Sequence, residues 1–448
     1  MLFNSIEFIL FLIFYYITWY YLKDRFLKHI IIIGGILFYS YLKPYYFYIP
    51  ILITLVGFYS TKIISNVSSK KIYLFISIFL CILPLLIFKY TNFIFQKEII
   101  NYSLPIGISF ITFTMISYII DVYNKKFKIE LSFSNVFGYI IYFPQLIAGP
   151  ILRPSQLLPY LFKKISVDPI YIRLGFFLIF IGLVKKILIA DQVSVYVDLF
   201  YDQSITINII NFLVAFYGFA IQIYCDFSGY TDIAIGLALI GGITLPKNFD
   251  RPYLATSIID FWRSWHITLS LWFRDYLYIP LGGSKISKLN KYRNIFLTML
   301  ICGLWHGAGL NFIIWGIGHG LFIILNHYFR DNFINIKINK YIKILFVFHL
   351  VCLLWIFFRA DFVFINNILI PAFSSSNFYY LNFEISVIFP ILITILFLIT
   401  HKYDNFEYFK MLIIKLPKIY IIPIIIFSIV VVIVSSLETS NKFIYFDF

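Results

Sequence analysis

A chain of 448 residues with 61% hydrophobic and 13% charged side chains and a mean hydropathy of +0.89 is not a string of soluble domains, whose surfaces need far more polar residues. Its net charge of +15 would suit nucleic acid if it lay along one face. The 36 basic residues instead occupy short segments between apolar runs, where orientation signals and anionic membrane lipid account for them, so lipid is an expected partner and nucleic acid is not.

A membrane span takes roughly 20 mostly apolar residues. Candidate stretches occur in order at 3–22, 30–41, 45–64, 72–88, 104–123, 136–151, 172–190, 207–224, 295–328, 341–358, 385–400 and 419–434. They predict an all-α, polytopic membrane protein with about ten to thirteen membrane helices. The N-terminal stretch has no basic leader and carries Glu7, so it reads as a first span and not as a cleaved signal. Lys23, Arg25 and Lys28 follow it, which places that end in the cytoplasm and the N-terminus outside.

No repeat and no Pro- or Ser-rich linker divides the chain, which reads as one domain over 1–448 with a chemically active middle at about 103–328. Cys81, Cys225, Cys302 and Cys352 lie in or beside apolar runs without paired spacing, and imply neither a disulfide frame nor a metal site.

The densest polar segment is 246–293. Within it Trp262, Trp265, Leu269 and Trp272 recur at spacings of 3, 4 and 3, while Asp260, Arg263, Ser264, Ser270 and Arg274 gather on another side. This periodicity predicts an amphipathic helix lying in the interface or re-entering the protein, with tryptophans at headgroup depth, ended by Pro280 and Gly282-Gly283.

Polar side chains inside apolar runs carry the most information, because lipid penalises them by about 2.5–3.5 kcal/mol for a central charge. Three groups stand out: Asp226, Ser228, Tyr230 and Asp232; Arg263 and His266; and His306, Asn311 and His319. Gly303 and Gly307 flank His306, and Gly316 and Gly320 flank His319, as in closely packed membrane helices. Packing alone explains such glycines. An imidazole, however, can take a proton from a hydroxyl and return it to a leaving group, which is worth about 10² to 10⁴-fold in rate. On one ideal helix His319 points about 220° away from His306, so His319 is expected to be structural. His266 lies three residues after Arg263 and can share its helix surface. Cys302 at i−4 from His306 raises a thiol nucleophile, with nothing nearby to favour a thiolate.

The stretches YFPQLIAGPILRPSQL (142–157), GLVKKILIADQVSVYVD (182–198), YCDFSGYTDIAIGLALIGGITLPKNFDRPYLATSIIDFWRSWHITLSLWFRDYLYIPLGGS (224–284) and GLWHGAGLNFIIWG (303–316) resemble the bacterial membrane-bound O-acyltransferases, most of all the membrane subunit of alginate O-acetylation. The resemblance extends to 103–123, WIFFRA at 355–360 and the terminal FIYFDF. It implies many helices around a tunnel joining the two membrane faces, in a bacterial cytoplasmic (inner) membrane. His306 takes the place of the catalytic histidine, and His266 that of a second functional position occupied by Asn or His. Arg263, Asp226, Asp232, Trp305, Ser228 and Asn311 become candidates for the tunnel or substrate wall. No bound cofactor is implied. The expected donor is a cytosolic acyl thioester, acetyl-CoA or an acyl carrier protein. The expected acceptor is an extracytoplasmic polysaccharide, reached directly or through a periplasmic acetyltransferase partner. Thr114, Leu310-Asn311 and Asp447 depart from the family pattern and bear on which acceptor is used.

The expected function is therefore O-acyl transfer, with D-alanyl or other acyl transfer to teichoic acid or peptidoglycan as the alternative. A transporter would carry internal symmetry and paired interrupted helices, which are not visible here. A lipid-linked glycosyltransferase would favour acidic clusters in large outer loops.

Overall fold

The computed structural model describes residues 3, 5–42, 44–67, 69–97, 99, 104–147, 149–285, 287–332, 338–379 and 387–437; Asp447 and the terminal FIYFDF lie outside them. Among these residues the secondary structure is helical throughout, without strands. The chain forms two compact units: Met1–Leu183 with Tyr230–Lys247 and Lys410–Asp447, and Val184–Gly229 with Asn248–Phe409.

Seven helices among the described residues are long and apolar enough to cross a membrane, and three shorter apolar ones, Ile108–Tyr123, Phe362–Phe373 and Ile388–Tyr403, accompany them. Where individual stretches depart from the expected bounds, the causes are local. Stretches 3–22 and 30–41 belong to one helical segment, Ile6–Leu42, that kinks at Phe26 (φ −127°, ψ 22°). Its second half folds back, so the Phe38 ring stands 5.9 Å from Phe3 and 6.1 Å from Phe11. Gly34 permits this: a Cβ there would sit 2.4 Å from the Tyr15 ring. Stretch 136–151 is no span at all. Pro144, Gly149 and Pro150 interrupt it, leaving the short buried helices Phe133–Ile141 and Phe143–Leu146, whose loose backbone is tied by Gln145 Nε2 donating to the Tyr139 carbonyl at 2.5 Å.

In the second unit, stretch 295–328 is two helices, Lys288–His306 and Leu310–Asn332. They pack through Gly303 and Gly316: a Cβ on Gly303 would stand 2.4 Å from the Phe312 carbonyl oxygen and 3.0 Å from the Gly316 Cα. Only glycine allows that approach. The expected amphipathic helix is likewise broken in two, Ile258–Ser264 and Ile267–Phe273. Trp265 and Trp272 are buried against protein, so neither presents its ring on an outer face of a continuous amphipathic helix.

All four cysteines are buried, which makes the orientation of the chain directly testable. With Lys23, Arg25 and Lys28 cytoplasmic, the exposed Lys288 should also be cytoplasmic. A Lys288→Cys variant is expected to resist a membrane-impermeant thiol reagent in intact cells and to react after permeabilisation. Ready labelling in intact cells would reverse the assigned orientation.

Candidate active site

His306 is the last residue of the Lys288–His306 helix, which Gly307 ends in an extended conformation (φ −160°, ψ 155°). Its side chain, 3% exposed, is enclosed by aromatic rings. Trp305 lies 4.6 Å from it, Trp315 4.8 Å and Phe358 5.1 Å, all edge to face. This geometry holds the imidazole plane by its surroundings on three sides.

The break after His306 also changes where His319 stands relative to it. The two histidines stand on separate packed helices, and His319 meets the same indole, with its ring 4.7 Å from Trp315. His319 Nδ1 accepts from Trp262 Nε1 at 3.2 Å, which ties the Ile258–Ser264 helix to the Leu310–Asn332 helix. The aromatic wall continues from Trp315 through Trp355 (6.0 Å) to Trp265 (5.0 Å), the residue before His266.

His266 occupies the hinge between the two short helices. Trp265 is extended (φ −100°, ψ 127°), and His266 is left-handed (φ 40°, ψ 57°). For a residue with a Cβ that conformation costs on the order of 1 kcal/mol and persists only where neighbours enforce it. Asn248 supplies the enforcement from 18 residues upstream. Its main-chain carbonyl accepts from Ile267 N at 2.8 Å, and its Oδ1 accepts from Thr268 N at 3.2 Å and Thr268 Oγ1 at 2.8 Å. These bonds satisfy the first amides of the Ile267–Phe273 helix, which its own turns cannot. The same Oδ1 lies 3.0 Å from His266 Nδ1. The ring is fully buried, with Phe227 edge to face at 4.6 Å. Burial lowers its pKa to about 3, so His266 is a neutral imidazole at physiological pH.

Asp226, the residue before Phe227, belongs to a buried ionic cluster. The π-helix Val184–Ala190 turns two consecutive lysines inward. Lys186 Nζ is 2.7 Å from both Asp191 Oδ1 and Asp226 Oδ1. Lys185 Nζ is 2.7 Å from Asp404 Oδ1, whose Oδ2 accepts from Tyr224 OH at 2.6 Å. Burial pushes the Asp191 carboxyl up to about 6 against the pull of Lys186. Tyr224 in turn meets Phe249 at 5.7 Å and Trp265 at 6.2 Å, so the cluster anchors the helix segment that backs His266.

The structure thus gathers His306, His266, Trp305, Asp226, Ser228 and Asn311 in one unit. Asn311 Nδ2 donates to the Phe357 carbonyl at 3.1 Å, fixing the start of its helix, and Ser228 is buried with no hydrogen-bond partner for its Oγ among the described residues. Arg263 does not share a surface with His266. The helix ends between them, and the Arg263 side chain is 75% exposed and faces Asp260 at 3.5 Å. Asp232 is half-buried and belongs to the other unit. Sequence reasoning missed Lys185, Lys186 and Asn248. The lysine pair carried a usable signal, since two charges inside stretch 172–190 need buried partners. Asn248 carried none.

Residues 65–366 match the model of the membrane-bound O-acyltransferase family. The chain is 36% identical over 328 residues to the peptidoglycan O-acetyltransferase of Helicobacter pylori, an alignment covering 65% of this chain and 62% of that protein. It is 35% identical over 383 residues to the probable alginate O-acetylase of Pseudomonas aeruginosa, covering 81% of this chain and 72% of that protein. Against the teichoic acid D-alanyltransferase of Bacillus subtilis it is 30% identical over 264 residues, covering 55% and 66%. The chain belongs to the membrane-bound O-acyltransferase family and is a multi-pass membrane protein.

Proposed function

We propose that this membrane-bound O-acyltransferase moves a short acyl group, acetyl in the first instance, from a cytosolic thioester to a hydroxyl of an extracytoplasmic polymer, directly or through a partner acyltransferase. The observation that carries the reading is His306 at a helix end inside a cage of Trp305, Trp315 and Phe358. One aromatic wall, through Trp355, leads from it to Trp265 beside His266. A buried histidine so enclosed offers a base in surroundings that exclude bulk water, where transfer to an alcohol competes best with hydrolysis.

In the proposed reaction the hydroxyl oxygen attacks the thioester carbonyl while His306 takes the hydroxyl proton. The tetrahedral intermediate collapses, the carbon–sulfur bond breaks, and His306 returns the proton to the departing thiolate. Ester and free thiol are the products, and the histidine ends as it began. His266, buried beside the same wall, holds a reacting partner in place. The basic stretch that includes the exposed Lys285, Lys288 and Arg293 suits the phosphates of coenzyme A or an acidic carrier protein on the cytoplasmic side. The cytoplasmic (inner) membrane is the compartment in which both substrates are within reach.

The relatives act, by name, on alginate, peptidoglycan and teichoic acid, so the polymer is the open variable. Mass spectrometry of envelope polymers from cells with and without the protein is expected to show one ester missing in its absence, which identifies acyl group and acceptor together. Unchanged ester content in every polymer, with thioester not consumed by the purified protein, would refute the proposal in favour of transport.

A further inference from the structure

We propose that Asn248 is a positioning residue that holds His266 in its Nδ1–H tautomer, so that His266 meets the substrates as a hydrogen-bond acceptor through Nε2 and not as a donor to the thioester carbonyl. The inference rests on the reading above in placing His266 among the reacting groups. The assignment of the tautomer does not.

The geometry leaves one consistent proton arrangement. A main-chain amide can only donate, and the Thr268 N–H points at the Asn248 side chain from 3.2 Å. The atom it meets is therefore the amide oxygen and not the amide nitrogen. That oxygen cannot donate. His266 Nδ1, 3.0 Å from it, must then carry the hydrogen. A neutral imidazole has a single N–H, and burial keeps this ring neutral. The lone pair consequently resides on Nε2. The main-chain carbonyl of Asn248 also holds Ile267 N at 2.8 Å, so both ring orientation and the left-handed backbone of His266 (φ 40°) are set by one residue.

The consequence is chemical. A thioester carbonyl, and the oxyanion it becomes, accepts hydrogen bonds only. An alcohol donates through O–H. With its donor hydrogen engaged by Asn248, His266 has nothing to give the carbonyl and a lone pair to offer the hydroxyl-bearing acceptor. A polymer of sugars or polyols presents several hydroxyls, so one can surrender its proton to His306 while a neighbour is held by His266 Nε2. This allots the two histidines to different tasks: proton transfer for His306, and orientation of the alcohol for His266.

The test uses full-length protein in lipid nanodiscs with 15N-labelled histidine, the His266 signals being those lost in His266→Gln. Solid-state NMR is expected to show a protonated Nδ1 and an unprotonated Nε2 on His266, and in Asn248→Ala a shift of the proton to Nε2. A native Nε2–H form overturns the proposal whether or not the protein transfers acyl groups. With an active preparation, Asn248→Ala should lower kcat by about 10- to 100-fold, as loss of a partner that orients a histidine does, at an unchanged donor KM. A raised donor KM at full kcat would place His266 on the thioester and overturn the assignment. Because Asn248→Ala also removes a cap, Asn248→Asp is the second variant. It keeps an oxygen to accept from Thr268 N, Thr268 Oγ1 and His266 Nδ1, and its carboxylate favours the imidazolium, so the acid limb of the pH–rate profile should move to higher pH. An unmoved limb would show a merely structural Asn248. If the native tautomer is Nδ1–H and no donor is ever consumed, it is the acyl-transfer reading that fails.

Discussion

His306→Gln is expected to insert and accumulate normally, to bind the acyl thioester, and to lose at least about 10²-fold in acyl transfer, the low end of what removal of a general base costs. Gln has bulk near that of His and fits the cage of Trp305, Trp315 and Phe358 without opening a cavity. Its amide nitrogen is not basic and cannot carry the hydroxyl proton to the leaving thiolate. His306→Ala should lose as much activity and also some stability, since three rings then face a void. A purely packing role for His306 predicts the opposite pattern: a lower unfolding temperature in both variants with transfer retained. Donor binding and transfer measured on the same purified protein separate the two. Near wild-type transfer by His306→Gln would return this histidine to the packing role that Gly303 and Gly316 alone already support.

What the sequence made legible at His306 was a polar side chain inside a glycine-lined apolar run. Packing and catalysis suited that pattern equally well, and the family resemblance singled the residue out for catalysis. The helix break behind it was less visible, although Gly307 and Gly309 stood there as a signal. Reading 295–328 as continuous placed His319 on the far side from His306, where the folded chain brings both rings to Trp315. At His266 no Gly or Pro marks the break. The tryptophan spacing continued across it in good helical period, and so Arg263 was assigned a neighbour it does not have. What breaks the helix is Asn248, a tertiary contact that outbids local periodicity and leaves no trace in spacing. His266 stood out as a polar residue among apolar ones, and its functional role came from resemblance; its burial and its hydrogen-bond partner needed the fold.

Lys186→Met is expected to be the most damaging single change in the second unit, and Asp226→Asn is expected to reverse most of that damage. Lys186 lies between two carboxylates at 2.7 Å each, with its side chain 3% exposed and that of Asp226 2% exposed. Water cannot reach Asp226 to solvate it once the ammonium is gone. Breaking a buried pair by removing one partner costs about 3–5 kcal/mol, a large part of the roughly 5–15 kcal/mol that holds a typical protein folded. Lys186→Met should therefore appear as a sharp drop in membrane yield and unfolding temperature. In Lys186→Met with Asp226→Asn, one carboxylate remains, Asp191. Burial already brings its pKa to about 6, so it can take up a proton at little cost, and the double variant should regain most of the lost stability. Replacing the exposed Lys164, which faces Asp24 at 3.8 Å with both side chains largely in solvent, should change the unfolding temperature little, because exposed pairs are worth about 0–1 kcal/mol. A Lys186→Met protein as stable as wild type would show that the cluster is wet or dispensable. A double variant no better than the single one would show that Lys186 serves through its stem and packing, and that pairing with Asp226 is not what keeps the π-helix Val184–Ala190 in place behind the candidate site.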